Sequence, residues 1–269
     1  MSAWAAWSFR PPDTLIEESA LPVFELAVVF ICLACGGILK GATGAGAPIL
    51  AIPAMAAFHD VRFAIVVMTV PNVITNLLQA WQNRHHRLGA GFLLPFLLSA
   101  AVGVVLGTWV LVEVDSRTLS LVVALAVLLY LALRVTKASW RLSPPFAARL
   151  AAPFGLLSGI VQGSAGISAP VSLSFINAMQ LDRLTFMSTV SLLFVTFGSI
   201  QIPALALTGV LTLTGFLISC AALLPLLLGM PIGAFLARTV SRETFDRLIM
   251  ILLAGLATKM LWDTFVSAG

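Results

Sequence analysis

The chain carries one glycine-rich stretch twice: Gly37-Ile-Leu-Lys-Gly41-Ala-Thr-Gly44-Ala-Gly46-Ala-Pro48 and, 122 residues later, Gly159-Ile-Val-Gln-Gly163-Ser-Ala-Gly166-Ile-Ser-Ala-Pro170. Without any gap, the same offset pairs Asp60 with Asp182 and Gln79 with Gln201. Matches of several residue types in one register indicate an internal repeat. Each stretch predicts a helix, a glycine-rich turn and a second short helix that has the proline in its first turn.

The repeat lies in a chain that is too apolar for a soluble domain. Of its 269 residues, 60% are apolar and 10% are charged, and the mean hydropathy is +1.06. Soluble domains have about 45–50% apolar and about 25% charged residues. This excess excludes soluble enzymes, nucleic-acid-binding proteins and disulfide scaffolds, and it predicts a protein that crosses the membrane several times.

Six uninterrupted apolar runs predict transmembrane helices, because each offers the roughly 20 residues that a helix needs to cross a bilayer. The runs cover residues 62–82, 90–112, 117–135, 184–204, 210–237 and 243–266. Two further apolar segments, residues 21–58 and 147–179, are the glycine-broken stretches. They predict helical hairpins that either cross the membrane fully or re-enter it.

The cations orient these spans. Residues 83–89, 134–149 and 238–247 hold nine of the fifteen Lys and Arg residues, whereas the alternate connections are acidic or uncharged. The positive-inside rule places the first set in the cytoplasm and both termini on the opposite side. This topology also accounts for the pI of about 9.4, so the basic charge does not indicate a nucleic-acid partner.

With this orientation, the two repeats are inserted upside down relative to each other, a recurrent plan of secondary transporters. We therefore predict an all-α polytopic membrane protein made of two inverted-topology repeats, each a glycine-broken helical hairpin plus three transmembrane helices. The predicted divisions are an N-terminal interfacial segment at 1–20, repeat 1 at 21–136, a cytoplasmic linker at 137–146 and repeat 2 at 147–267.

The glycine turns are the predicted binding site. The start of a helix exposes N–H groups with partial positive charge, which favours an anion, and broken helices within the membrane must line a cavity or be buried in protein. The alternative is close helix packing at small-xxx-small spacing. The predicted substrate-binding residues are Lys40, Gly41, Thr43, Gly44, Ala45, Gly46, Gln162, Gly163, Ser164, Ala165, Gly166 and Ser168.

Lys40 is identified as the only cation well inside an apolar run, and its repeat partner is the neutral Gln162. An intramembrane charge is costly and indicates a functional role, so Lys40 either holds the anion or extends its ammonium group to the cytoplasmic surface. Polar residues on the following helices are candidate pathway residues or interhelical hydrogen-bond partners: Asn72, Asn76, Gln79, Thr196 and Gln201. Charged residues after the hairpins are candidate gates or ion-paired caps: Asp60, Arg62, Asp182 and Arg183.

At its glycine motifs the chain resembles the sulfite exporter TauE/SafE family. Gly37, Gly41, Gly44 and Gly46 match the family's first signature, and the second is matched by Gly159, Gly163, Gly166 and Pro170. The resemblance implies a carrier that exports sulfite, sulfoacetate or a related small organic anion across the bacterial inner membrane. The chain departs from the pattern where Ala47 follows Gly46 and where Ser168 occupies the position equivalent to Gly46.

We therefore expect a secondary transporter that works by alternating access, with a proton or sodium ion as the candidate coupling partner and a homo-oligomer as a candidate assembly. No cofactor, metal or catalytic residue is predicted. A cation or metal carrier is the first alternative, but it requires carboxylates or clustered histidines within the spans. A non-transporting intramembrane enzyme or assembly subunit is the second, and it requires a nucleophile with a base at membrane depth, whereas all three histidines lie in predicted loops.

Overall fold

The structure is a computed structural model that describes residues 23–136 and 141–266. Its described residues form ten helices: α1 Val23–Thr43, α2 Ala47–Ala56, α3 Val61–Gln82, α4 Ala90–Glu113, α5 Ser116–Val135, α6 Pro144–Ala165, α7 Ala169–Ala178, α8 Arg183–Leu207, α9 Leu213–Thr239 and α10 Arg242–Val266. The predicted interfacial segment 1–20 lies outside the described residues, as do residues 137–140 of the predicted linker. The last residues of that linker, 144–146, already belong to α6.

The prediction of an all-helical membrane protein is confirmed. Eight helices of the described chain are long and apolar enough to cross a membrane, and six of them coincide with the predicted uninterrupted runs to within three residues at each end. Their outward faces are apolar, as lipid contact requires; Leu98 and Ile251, for example, are 65% and 70% exposed.

The glycine-broken segments each form one long and one short helix. α1 has 21 residues and α6 has 22, so each is about 30 Å long, whereas α2 and α7 have ten residues and are about 15 Å long. Lys259 of α10 donates a hydrogen bond to the carbonyl group of Ala57, which ties the end of α2 to the C-terminal part of α10. Each short helix thus runs back towards the end of the bundle at which its long partner begins.

The first helix of each repeat packs against the fourth helix of the other repeat. α1 runs parallel to α9, with Gly37 against the Leu226 carbonyl and Gly41 against the Met230 carbonyl. α4 runs parallel to α6 in the same manner, and Gly163 faces the Val104 carbonyl. The offset of 122 residues relates the two helix pairs, but their contacts differ by one helical turn, because the equivalents of Gly37 and Leu226 are Gly159 and Val104, whereas Val104 faces Gly163. Both pairs thus use glycine-mediated contact, in different registers.

The most buried spans are α3 and α8, which pack against each other at the centre. Gly198 of α8 accommodates the side chain of Val73 of α3 at this contact. Each of these two helices begins with an aspartate whose carboxylate accepts backbone N–H groups: Asp60 at α3 and Asp182 at α8. The equivalent central helices therefore share the same capping chemistry.

The arginine-containing connections between the helices lie together at one end of the bundle. An ion pair of 2.7 Å joins Arg134 to Asp246, and the Leu142 N–H donates to the Ala178 carbonyl at 2.8 Å. These contacts bring the end of α5 and the starts of α6 and α10 to one end, which we call the arginine-rich end. It also holds the α3–α4, α7–α8 and α9–α10 connections.

Candidate functional site

The two glycine turns have different backbone conformations. Gly44 and Gly46 adopt left-handed φ angles of 78° and 98°, and Gly166 has a φ of 72°. Ser168, the equivalent of Gly46, has a φ of −83°, which a residue with a side chain adopts without strain. The departure of Ser168 from the family pattern is therefore accommodated by a change of backbone conformation in the second turn.

Helix α2 begins in the protein interior. All ten of its residues are buried, its cap is Gly46, and Pro48 lies in its first turn, as the sequence predicts. Proline has no N–H to lose at this position. Because the Ile49 N–H is bonded to the Gly46 carbonyl at 3.0 Å, the buried Ala47 N–H is the first-turn donor of α2 without a hydrogen-bond partner among the described residues. Its partial positive charge favours an anion.

The side chain of Lys40 is buried within the protein at 2% exposure, and its Nζ donates to Oδ1 of Asn76 at 2.8 Å. The alternative in which Lys40 extends to the membrane surface is therefore wrong. None of the ion pairs among the described residues involves this ammonium group. A second lysine, Lys259, also lies in a span, but it is partly exposed and is paired with Asp263 at 2.6 Å.

Helix α3 fixes the end of α1 through two amide side chains. Asn76 accepts the Lys40 bond, and Gln79, one turn further on, donates its Nε2 to the Gly44 carbonyl at 2.6 Å. Asn76 also donates its Nδ2 to the carbonyl and side-chain oxygens of Asn72, both at 2.8 Å. This second set of bonds orients the amide so that its oxygen faces Lys40.

Repeat 2 lacks this arrangement. Gln162 stands in the place of Lys40, and the position equivalent to Asn76 is Gly198, which has no side chain. Gln162 instead accepts a hydrogen bond of 3.3 Å from the Ser168 N–H, while Gln201 donates to the Gly163 carbonyl at 3.3 Å. The buried cation and its acceptor therefore occur in the first repeat alone.

Each predicted hydroxyl donor has a hydrogen-bond partner within the protein. Thr43 contacts the carbonyl oxygens of Leu39 and Ala45, and Ser164 donates to the Ile160 carbonyl at 2.8 Å. The hydroxyl hydrogens of Thr43 and Ser164 are therefore bonded to backbone carbonyl groups. The Ser168 hydroxyl lies 3.1 Å from the Ser172 hydroxyl, which also lies 3.0 Å from the Ser168 carbonyl, so Ser168 is hydrogen-bonded to Ser172. Thr196 donates to the backbone of its own helix at 2.9 Å, as an ordinary helical threonine does.

The other predicted binding residues lie at helix contacts or in the turns. A Cβ atom added at Gly41 or Gly163 would collide with a backbone carbonyl of the neighbouring helix, so both positions serve close packing. Ala45 and Ala165 are buried beside Gly44 and Gly166. Whether these residues also contact a substrate stays a prediction.

Each glycine turn contacts the central helix of the other repeat. A Cβ added at Gly44 would come within 2.9 Å of the Met187 side chain of α8, and one at Gly166 would meet Ile52 and Ile65. Ile65 and Met187 are equivalent positions in the two repeats. No hydrogen bond among the described residues joins one turn to the other, so a single site shared by both turns stays a prediction.

Two buried serines near the first turn were missed by the sequence argument. Ser188 and Ser191 of α8 are fully buried, and in the described part of the chain their hydroxyl groups have no hydrogen-bond partner. Ser191 lies one helical turn after Met187, the residue that packs on Gly44. The sequence does contain a signal that could have identified them, namely two serines three residues apart in an otherwise apolar predicted helix.

Three of the four candidate gate residues bind helix ends in this structure. Asp60 lies 3.9 Å from Arg62, whose Nε donates to the Leu111 carbonyl at 3.0 Å and whose other nitrogens bind the loop after α4. Asp182 caps α8, and hydrogen bonds from Thr185 and then Leu184 hold the pKa of its carboxyl below the ordinary value. Arg183 is exposed. The proposed gating role of these residues stays a prediction.

A family model described as sulfite exporter TauE/SafE matches residues 29–260, which include both glycine turns, the helices α2 to α9 in full and most of α1 and α10. The chain belongs to the TauE/SafE sulfite exporter family. Comparisons with curated proteins and with solved structures each gave no match. TauE/SafE members are membrane transporters of sulfite and related anions, which confirms the resemblance found at the glycine motifs. The buried cation, the unpartnered hydroxyls and the helix start described above are thus features of a TauE/SafE transporter.

Proposed function

We propose that the protein is a secondary transporter that exports a small oxyanion, such as sulfite, sulfoacetate or a related organosulfur or carboxylate anion. The observation that carries this proposal is the Lys40 ammonium group, which is buried against the neutral amide of Asn76. Burying a cation without a counter-ion costs several kcal/mol. A bound anion would supply the missing charge, so this residue favours an anionic substrate over a cationic one.

The surroundings of Lys40 fit an oxyanion with several acceptor oxygens. An ammonium group has three N–H donors, and the bond to Asn76 uses one of them. Gly44, one turn after Lys40, leads into the start of α2, where the N–H groups of Gly46 and Ala47 have no hydrogen-bond partner among the described residues. Ser191 adds a buried hydroxyl on the side of α8 that carries Met187. These donors favour binding at the first turn.

We place one charged site in the protein rather than two. Repeat 2 has a glutamine and a glycine where repeat 1 has Lys40 and Asn76. Its turn retains neutral polar groups, among them the Ser168 hydroxyl and the start of α7. In our proposal the second turn contributes to release or to a low-affinity stage of transport, and it does not neutralise the substrate charge.

Alternating access would occur between the two exchanged helix pairs. The glycines bring the backbone of α1 into direct contact with that of α9, and the backbone of α4 into direct contact with that of α6, and such close packing holds two helices together. We therefore propose that each pair moves as a unit and that the glycine turns, which contact the opposite repeat, change their surroundings as the pairs move. By the positive-inside rule, we propose that the arginine-rich end faces the cytoplasm and that both termini face the periplasm of a bacterial inner membrane. A proton or sodium ion is the proposed coupling partner.

Flux into proteoliposomes tests this function. Vesicles that contain the protein should take up labelled sulfite or sulfoacetate faster than protein-free vesicles, and unlabelled anion on the opposite side should accelerate exchange. Lys40→Gln should abolish the protein-dependent part, whereas Lys259→Gln, which removes a lysine from the opposite end, should retain it. Equal rates with and without protein for every anion tested would refute the proposal.

A further inference from the structure

The structure contains a large cavity away from the glycine turn of repeat 1. Its volume is about 870 Å³, and it lies among α5, α6, α7 and α10. The cavity begins at the arginine-rich end, where Arg134 and Asp246 form its rim, and it extends inward along α7 as far as Pro170. It exists because α7 is a ten-residue helix with long helices on either side.

The inner wall of the cavity is apolar. It is formed by leucine, phenylalanine, valine and methionine side chains, including Leu150, Phe154, Leu173 and Met250. Phe146 and Leu157 also line it and are 50% and 47% exposed on the outer face of the bundle. The cavity is therefore bordered by side chains that face the lipid, so an acyl chain can enter it from the side.

The rim of the cavity is polar and carries a net positive charge, since Arg134 and Arg247 are opposed by Asp246 alone among its lining residues. Arg134 uses one nitrogen to bind Asp246 at 2.7 Å, and a guanidinium group has four further N–H donors. Arg247 is exposed at the same rim. Two guanidinium groups above an apolar channel match a phosphate group attached to an acyl chain.

We infer that this cavity binds an anionic phospholipid of the surrounding bilayer, with its phosphate at Arg134 and Arg247 and an acyl chain along α7. A small hydrated anion is a poor match, because most of the wall offers it no hydrogen bond. This inference concerns lipid binding and does not depend on the proposed transport function. Because Pro170 lies in the first turn of α7, the bound lipid would contact the helix that follows the second glycine turn.

Native mass spectrometry of the protein released from nanodiscs tests the inference. Nanodiscs with equal parts of phosphatidylcholine and phosphatidylglycerol should yield protein that retains phosphatidylglycerol preferentially. Arg247→Gln should reduce this retention about fivefold, the effect of one arginine on an anionic headgroup. Arg238→Gln is the matched control, since Arg238 is an exposed arginine in the last turn of α9 and does not line the cavity.

A second variant fills the cavity itself. Ser174 lines the cavity and is partly exposed, so Ser174→Trp should remove lipid retention even though all arginines are present. Equal losses in Arg238→Gln and Arg247→Gln would overturn the inference, because they would indicate general attraction to a basic surface. Unchanged retention in Ser174→Trp would also overturn it.

Transport in vesicles of pure phosphatidylcholine separates a lipid site from a substrate pathway. If the cavity is a lipid site, Ser174→Trp should transport sulfite there at the wild-type rate, because no anionic lipid is present to be displaced. Loss of transport in that variant, with an unchanged elution profile on size-exclusion chromatography, would make the cavity an entry path for the anion and overturn the lipid assignment. If the wild type transports no anion at all, the lipid retention experiment still decides the inference.

Discussion

Lys40→Gln removes one positive charge from the protein interior and leaves a side chain that still donates a hydrogen bond. In the wild type, the ammonium group is 2% exposed and is bonded to Asn76 at 2.8 Å. If this charge exists to bind an anion, its removal has two opposite consequences. Anion affinity should fall, while the anion-free protein should become more stable.

The loss of affinity can be estimated from the geometry of a contact ion pair. Two unit charges about 4 Å apart interact by about 4 kcal/mol at an effective dielectric constant of about 20. Part of this gain is offset by the desolvation of the anion, and a hydrogen bond to a charged group contributes about 1.5–3 kcal/mol net. We therefore expect Lys40→Gln to weaken sulfite binding by about 10- to 150-fold.

The change in stability has the opposite sign. The buried ammonium group costs the anion-free wild type several kcal/mol. The variant recovers that cost, but it weakens the hydrogen bond to Asn76, which is worth about 1 kcal/mol. The balance predicts an anion-free variant that is more stable than the wild type by about 1–2 kcal/mol, or by several degrees in Tm.

Thermal unfolding in detergent, with and without sodium sulfite, measures both effects. Sulfite at one hundred times the wild-type Kd should stabilise the wild type by about 2.7 kcal/mol, and the same concentration should stabilise Lys40→Gln by only about 0.3–1.4 kcal/mol. Lys259→Gln is the control, because Lys259 is paired with Asp263 at 2.6 Å and is partly exposed. A Lys40→Gln protein that is less stable without sulfite and keeps the wild-type sulfite shift would refute the reasoning.

Three further predictions concern the caps and turns. Gly46→Ala should lower the free energy of unfolding by about 1–2 kcal/mol because the φ of Gly46 is 98°, whereas Ser168→Ala should lower it by less than about 1 kcal/mol. Similar losses in Tm for the two variants would contradict a role of the left-handed backbone. Arg62→Met should destabilise the protein by about 3–5 kcal/mol because it removes the buried side chain that caps the end of α4. Substitution of the exposed Arg183 by Met should change the stability by no more than about 0.5 kcal/mol, and urea unfolding measures both values. Hydrogen bonds lower the pKa of Asp182, so its stabilising effect is fully present above about pH 4 and is lost as the pH falls through the lowered pKa. Asp182→Asn should therefore reduce the dependence of the unfolding free energy on pH in this acidic range. An unchanged pH dependence would contradict the prediction.

The sequence predicted most of the fold because its information was local. Runs of apolar residues determine the spans, and the positions of Gly44, Gly46 and Pro48 determine where α1 stops and α2 begins. The apolar runs that begin at residues 62 and 184 predicted the starts of α3 and α8, which Asp60 and Asp182 cap in the structure. These signals need no knowledge of which helices are neighbours.

The interior of the site was harder to predict because it depends on contacts between distant segments. The choice between a buried and a surface-exposed Lys40 required the position of Asn76, and the availability of Ser191 required knowledge of what surrounds α8. The packing role of Gly41 depended on the Met230 carbonyl, far along the chain. Glycine spacing predicts that another helix packs closely at these positions, but it does not identify that helix.

The exchanged helix pairs have a consequence for the biogenesis of the protein. α1 leaves the ribosome before α9, yet the surface that covers Gly37 and Gly41 belongs to α9. During synthesis, lipid or an insertion factor must therefore cover the bare glycine face of α1 until most of the chain has been inserted. A chain truncated after α5 would leave the partners of both α1 and α4 unmade, so neither repeat is expected to persist in the membrane as an independent unit.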